Sequence, residues 1–218
     1  MKTIRVTGRG QLKVHPDMTR ITITLEGLRK DYAMTLRVSS EETEGMKALL
    51  APFGFERTDL KTLSFSVDTE HESYREKDTW KSRFIGYRYR HVMKVEFESD
   101  NQRLGRILYA LAKSPLCPKF SLSYTVKDPE AAKNELLDRA VRDAVAKAGV
   151  LSAAAGQQLG AIQSIDYSWG EIDFDIHPMG ERLCETTFGC AMPNSLDMDI
   201  EPDDIQTEDT VTVVWEIL

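Results

Sequence analysis

Hydrophobic and polar positions alternate with a period of two through much of this chain, and three stretches exchange that rhythm for helical spacing. Ile4 and Val6 alternate with polar neighbours, and Gly8-Arg9-Gly10 is expected to turn the chain into Leu12 and Val14, forming an N-terminal β-ribbon. Pro16-Asp17 ends that ribbon, and Ile21, Ile23 and Leu25 resume the alternation with Thr22 and Thr24 opposite. From about Asp31 to Phe53 the spacing of Ala33, Leu36, Met46, Leu49 and Leu50 predicts a helix, punctuated by Pro52 and Gly54. Leu63, Phe65 and Val67 predict a half-buried strand, and the polar residues from about Glu70 to Asp78 read as a hairpin loop. The longest alternation follows. Ile85, Tyr87, Tyr89, His91, Met93, Val95 and Phe97 share one face, as expected for an antiparallel sheet with one side on a core.

A helix capped near Ser99 or Asp100 turns Leu104, Ile107, Leu108 and Leu111 inward, and Phe120, Leu122, Tyr124 and Val126 alternate after the break at Pro115 and Pro118. Asp128-Pro129-Glu130 supplies an N-cap, a proline at the first helical position and a carboxylate for the helix dipole. That helix runs to about Ala155, with Leu136, Ala140, Ala144 and Ala148 spaced by four and Gly156 as its stop. Ile162, Ile165 and Tyr167 begin another strand, and Val211, Val213, Trp215 and Ile217 lie on one side of a closing strand, 210–217. The order from Thr19 to Val126 is strand–helix–strand–strand–helix–strand, a split βαβ pattern. The expected fold is therefore α+β with antiparallel or mixed sheets, in a single domain over 1–218. It has a core at about 19–127, a long helix at about 129–155 and an irregular insertion at about 171–208.

Composition changes this picture in one place. The chain has 218 residues, 41% hydrophobic and 29% charged, with a formal net charge of −7. These values suit a globular protein that needs neither metal nor disulfide to hold a core. From Asp166 to Asp209, however, thirteen acidic residues meet one basic residue, Arg182, while the remainder carries 27 basic and 22 acidic side chains. An acidic run of this kind forms a solvated surface and disfavours a polyanionic partner. No apolar run approaches the ~18 residues of a spanning helix. Residues 1–20 contain no uninterrupted hydrophobic segment of the secretory kind, so a cytoplasmic location is expected for the chain as it stands, and a periplasmic or envelope location if a leader precedes it.

The candidates for chemistry are few. Cys117, Cys184 and Cys190 form an odd set without Cys-x-x-Cys spacing, and are read as reduced structural thiols. His177, Cys184 and Cys190 offer three donors for a zinc ion in the irregular segment, without a recognised spacing, and Glu70, His71 and Glu72 offer three more at the presumed hairpin tip. Gly8-Arg9-Gly10 lacks the following helix N-terminus of a phosphate loop, and no nucleophile elbow is present. His91 lies on the apolar face of the long strand and reads as a hydrogen-bonded core histidine. Gly86-Tyr87-Arg88-Tyr89-Arg90 is similar to the base-stacking strand of RNA-recognition modules. The parity of Tyr87 and Tyr89 with Met93, Val95 and Phe97 instead predicts buried rings.

Several stretches, in order, carry a resemblance. They are Val6-Thr7-Gly8-Arg9-Gly10, Pro16-Asp17-Met18, Asp59-Leu60-Lys61-Thr62, Gly86-Tyr87-Arg88 and Leu104-Gly105-Arg106-Ile107-Leu108, then Asp128-Pro129-Glu130 with Ala140, Val141, Asp143, Ala144, Lys147 and Ala148, and finally Leu159-Gly160. Over about 3–168, with the closing strand, the sequence resembles the SIMPL domain family, which includes bacterial periplasmic proteins. The resemblance implies an α+β fold and assembly into homo-oligomers, and it implies no catalytic residues. The expectation is a non-enzymatic, homo-oligomerising scaffold or protein-interaction module, with no catalytic residue, no cofactor, no bound metal and no nucleic-acid partner. The alternatives are a metal-dependent enzyme or metal-binding protein using 171–208, and a nucleic-acid-binding module using 86–90.

Overall fold

The computed structural model describes residues 2–76, 79–167, 175–176 and 200–218. In chain order the elements are β1 (Thr3–Val14), β2 (Met18–Arg29), α1 (Tyr32–Leu50, extended by a 3₁₀ turn at Ala51–Phe53), β3 (Lys61–Glu76), β4 (Thr79–Glu98), α2 (Asn101–Lys113), β5 (Lys119–Thr125), α3 (Pro129–Ala154), β6 (Leu159–Tyr167) and β7 (Ile205–Ile217). They form two antiparallel sheets with helices, the α+β class expected from the alternation. The described residues divide into two compact units.

The first unit holds 18–124 with residues 200–201. Its strand order is β3-β4-β2-β5, so β4 separates the two strands that α1 connects and β2 separates the two that α2 connects. This is the split βαβ arrangement. Ile21, Ile23 and Leu25 of β2 and Tyr89, Met93, Val95 and Phe97 of β4 line one face, closed by Met46 and Leu50 of α1 and by Leu104, Ile107, Leu108 and Leu111 of α2. Full burial of each such side chain contributes roughly 1.5–3 kcal/mol. Asp31 caps α1 by accepting from the Met34 amide at 2.8 Å, and Asp100 caps α2 by accepting from the Arg103 amide at 3.0 Å. The first half of α1 departs from expectation: Ala33 and Leu36 are exposed, and Thr35 and Ser39 face the sheet. Thr35 buries its hydroxyl by donating to the Asp31 carbonyl at 2.8 Å, and one turn on from Ser39 the Thr43 hydroxyl donates to the Ser39 carbonyl at 2.8 Å.

Of the hairpin loop expected at about Glu70 to Asp78, residues 70–76 are strand instead, and 77 and 78 lie outside the described residues. β4 pairs with β2 only as far as Tyr87, opposite Arg29, whereas β3 and β4 stay paired to Glu76 opposite Thr79. Beyond Tyr87 the hairpin therefore continues as a two-stranded arm, with a register shift between Glu70 and His71 at its base.

The second unit holds 2–17, 125–167 with Asp175 and Ile176, and Pro202–Leu218. Its sheet has the order β1-β7-β6, with α3 packed on β1 and β7. The turn expected at Gly8-Arg9-Gly10 is absent: β1 runs straight through and pairs with β7 along its whole length, from Thr3 opposite Glu216 to Val14 opposite Ile205. The glycines serve the helix. A β-carbon at Gly8 would run into the Ala140 carbonyl and the Ala144 backbone, and one at Gly10 into the Leu136 carbonyl. Ala140, Ala144 and Ala148 meet Val6, Val211, Val213 and Trp215, so small residues on both sides bring helix and strand together. The Arg9 amide donates to Asp143 at 2.7 Å and the Arg139 guanidinium donates to the Gln11 carbonyl at 2.9 Å, pinning the approach. Asp128 caps α3 by accepting from the Ala131 amide at 2.9 Å, and Gly156, at φ 67°, follows its end as the sequence predicts.

Candidate interaction surface

The feature least explained by stability alone is the α1 side of the β3–β4 arm. Cross-strand register places Phe65 beside His91, His71 beside Phe84 and Arg75 beside Trp80, all on that side. Tyr32, at the start of α1, meets Tyr87 edge-on at 5.3 Å between ring centroids. Tyr87 meets Phe84 at 5.2 Å, and Phe84 meets His71 at 5.6 Å. This row of rings lies open: Trp80 is 71% exposed, Tyr32 49%, Phe84 47% and Phe65 46%. Leu36 of α1 is also exposed, one turn on from Tyr32. A two-stranded hairpin is marginal in water, and one that holds large aromatic rings to solvent on one face has the character of a contact surface.

The other side of the arm is polar. Arg88 donates to Glu70 at 2.9 Å and Arg83 to Glu72 at 2.6 Å, with Arg83 standing 5.8 Å over the Tyr74 ring. The hydrogen bond from Arg88 holds the Glu70 carboxyl below its ordinary range. The triple Glu70, His71, Glu72 is thus divided, with its carboxylates engaged by arginines and His71 against Phe84. No cluster of three metal-ligating side chains occurs among the described residues. His177, Cys184 and Cys190 lie outside the described residues. Cys117 is an exposed free thiol at φ 44°.

His91 is buried where α1, β3 and β4 meet. The Thr43 hydroxyl donates to the Ser39 carbonyl, so it accepts from Nδ1 of His91, 3.0 Å away, and this places the imidazole proton on Nδ1. Nε2 is then free to accept from the Thr62 hydroxyl at 2.8 Å, and Phe65 packs edge-on against the ring. Burial, assisted by the Lys47 ammonium, pushes the His91 pKa down. It is the hydrogen-bonded core histidine that the alternation predicts. Tyr89 is fully buried and its hydroxyl donates to Glu42 on α1, while burial raises its pKa. Of the two rings expected to be buried by parity, Tyr89 is enclosed on the helix side of the sheet, whereas Tyr87, where β4 leaves β2, is only half-buried among Tyr32 and Phe84.

In the second unit, β6 is an edge strand exposed along most of its length, with Ile162, Ile165 and Tyr167 opposite Trp215, Val213 and Val211 of β7. The sequence points to these three residues through their spacing. It gives weaker notice of Trp80 and Phe84, which share parity with Ser82 in a stretch otherwise dominated by charge.

A family profile described as SIMPL, protein of unknown function (DUF541), matches residues 4–215. The chain belongs to the SIMPL family. Its relatives include the 26 kDa periplasmic immunogenic proteins of Brucella melitensis biotype 1 and Brucella abortus, each 26% identical over 163 residues, which is 74% of this chain and 65% of the relative. An uncharacterized protein YggE from Edwardsiella ictaluri is 22% identical over 211 residues, 97% of this chain and 85% of that protein. The chain thus spans about two thirds of the length of the Brucella proteins it matches. Among the described residues of this SIMPL chain, no helix is long and apolar enough to cross a membrane.

Proposed function

We propose that this chain is a self-associating, non-catalytic protein of the bacterial envelope that acts as a scaffold or protein-interaction module. The observation that carries the reading is the uncovered row of rings on the arm. A chain with a complete core in each unit gains nothing in isolation from displaying Trp80, Phe84 and Tyr32. The exposed apolar edge at β6 is a second surface of the same character. The periplasmic location named for the Brucella relatives is extended to this chain as part of the proposal. The fold contributes rigid presentation: the arm is an extension of β4, whose inner half is clamped between β2 and β3 beneath α1. Amine cross-linking of dilute purified protein tests the reading. A ladder of discrete multiples on a denaturing gel is expected, and a lone monomer band at every concentration and cross-linker dose would overturn it.

A further inference from the structure

We infer that the aromatic face of the β3–β4 arm is a two-fold interface, covered by the same face of a second copy of this chain. The inference rests on the self-association reading and goes further by naming the surface and its occupant.

Three observations select a second copy. The first is area. Trp80, Phe84 and Phe65 on the hairpin, with Tyr32 and Leu36 on α1, leave roughly 500 Å² of side chain open on one side of the sheet. Two such faces in contact bury about 1,000 Å², the threshold for a specific protein interface and far more than a small ligand covers. The second is charge. The acidity is concentrated in residues 166–209, where it opposes contact between copies, whereas residues 61–98 hold 8 Lys and Arg against 7 Asp and Glu. The arm therefore meets its own copy without net acidic repulsion. The third is the sidedness of the arm. Its charged pairs, Arg83 with Glu72 and Arg88 with Glu70, lie on the far side, so apposing the aromatic faces buries rings without stripping water from those ions.

An isologous contact is the simplest closure for one self-complementary patch. Two arms laid face to face give a four-stranded sandwich with Trp80 and Phe84 from both copies in its centre. This supplies the second layer that a lone hairpin lacks. Trp80 is the expected anchor, because a large ring that becomes fully buried at an interface carries a disproportionate share of the affinity.

Sedimentation velocity on the full chain tests this with exposed-residue variants, each checked by far-UV circular dichroism. Trp80→Ser with Phe84→Ser is expected to weaken association by at least about 30-fold. Leu36→Asp, which enters the same face from α1, is expected to act in the same direction without touching the arm's strands. Tyr74→Ser on the opposite side of the arm, and Val150→Ser on α3, are expected to leave the mass unchanged. An assembled wild type whose mass ignores both the Trp80/Phe84 pair and Leu36→Asp overturns this interface and leaves self-association standing. A wild type that is monomeric throughout overturns both. Dissociation by Val150→Ser or Tyr74→Ser, or binding of wild-type protein to phosphatidylglycerol vesicles that is lost with Trp80→Ser while the mass stays constant, would assign the rings another role and likewise overturns the proposal.

Discussion

Tyr89 covers Gly27, its direct partner across the β2–β4 ladder, so that the edge of its ring stands where a β-carbon of residue 27 would be, about 2.7 Å from that position. The glycine leaves the sheet a hole and the tyrosine fills it, while its hydroxyl reaches Glu42 and ties the ladder to α1. Gly27→Ala should therefore destabilise the first unit by about 1–3 kcal/mol through overpacking. Urea denaturation checks this. Tyr89→Leu in the same chain should reduce the penalty of Gly27→Ala, and strictly additive effects would show that the two residues are not coupled.

The second unit depends on a similar exchange of side chain for proximity. Gly8→Ala or Gly10→Ala puts a methyl group into the backbone of α3, not into a flexible side chain, so the helix must move away from β1. A loss of at least about 1–3 kcal/mol is expected for each, with Gly8→Ala the more severe because Ala144 also stands in the way. Denaturant midpoints unchanged from wild type would contradict the close packing described for α3.

His91 gives the first unit a dependence on mild acid. Its pKa in the folded chain lies below the ordinary 6.5, so between those two values the unfolded chain binds more protons than the folded one. Stability is therefore full above about pH 7, falls as the pH drops through 6.5, and stops falling on this account once the folded imidazole is itself protonated. Comparing urea midpoints at pH 7.5 and 5.5 for wild type and His91→Gln isolates the effect, because the other histidines are common to both chains. The variant should show the smaller pH dependence; equal dependence would remove His91 as the cause.

Glu96 sits on the open side of the same sheet, accepting from Arg20 at 2.6 Å and from Lys94 at 3.0 Å. Burial alone would raise its pKa, but the two hydrogen bonds outweigh burial and hold it below 4.5. Glu96→Gln removes the charge to which Arg20 and Lys94 both donate and should cost about 1 kcal/mol at neutral pH and low salt. Because the folded carboxyl is the stronger acid, its contribution is present above about pH 4.5 and disappears as the pH falls through its folded value. The gap between wild type and variant should close there. A gap that persists under acid would mean that shape, rather than charge, makes the difference.

Much of this architecture is legible in the residues because burial on one face imposes alternation. Ile21, Ile23 and Leu25 opposite Thr22 and Thr24, and Tyr89, His91, Met93, Val95 and Phe97 of the long alternation, mark β2 and the inner half of β4, while Ile85 and Tyr87 at the end of that alternation are only half-buried. The Asp128-Pro129-Glu130 start and the Gly156 stop mark α3 for local chemical reasons. What misleads is the same chemistry in an unusual setting. Gly8 and Gly10 look like a turn, because the sequence does not distinguish a glycine that bends the chain from one that admits a helix. The polar run at 70–76 looks like a loop because a two-stranded arm has no buried face to impose alternation. Leu36 looks like core because its spacing is helical, whereas the small residues Thr35 and Ser39 take the inner positions, Thr35 satisfying its hydroxyl on the Asp31 carbonyl within the helix. The candidate surface inherits these errors, since Trp80 and Phe84 gain meaning only once the arm is known to be paired strand with one side uncovered.

The central claim, that this chain works as an assembly of its own copies, is tested most directly by sedimentation equilibrium of the purified protein from low to high micromolar concentration. The account predicts a mass that is a whole-number multiple of 24.7 kDa and holds over most of that range. A mass of 24.7 kDa at every concentration would contradict it.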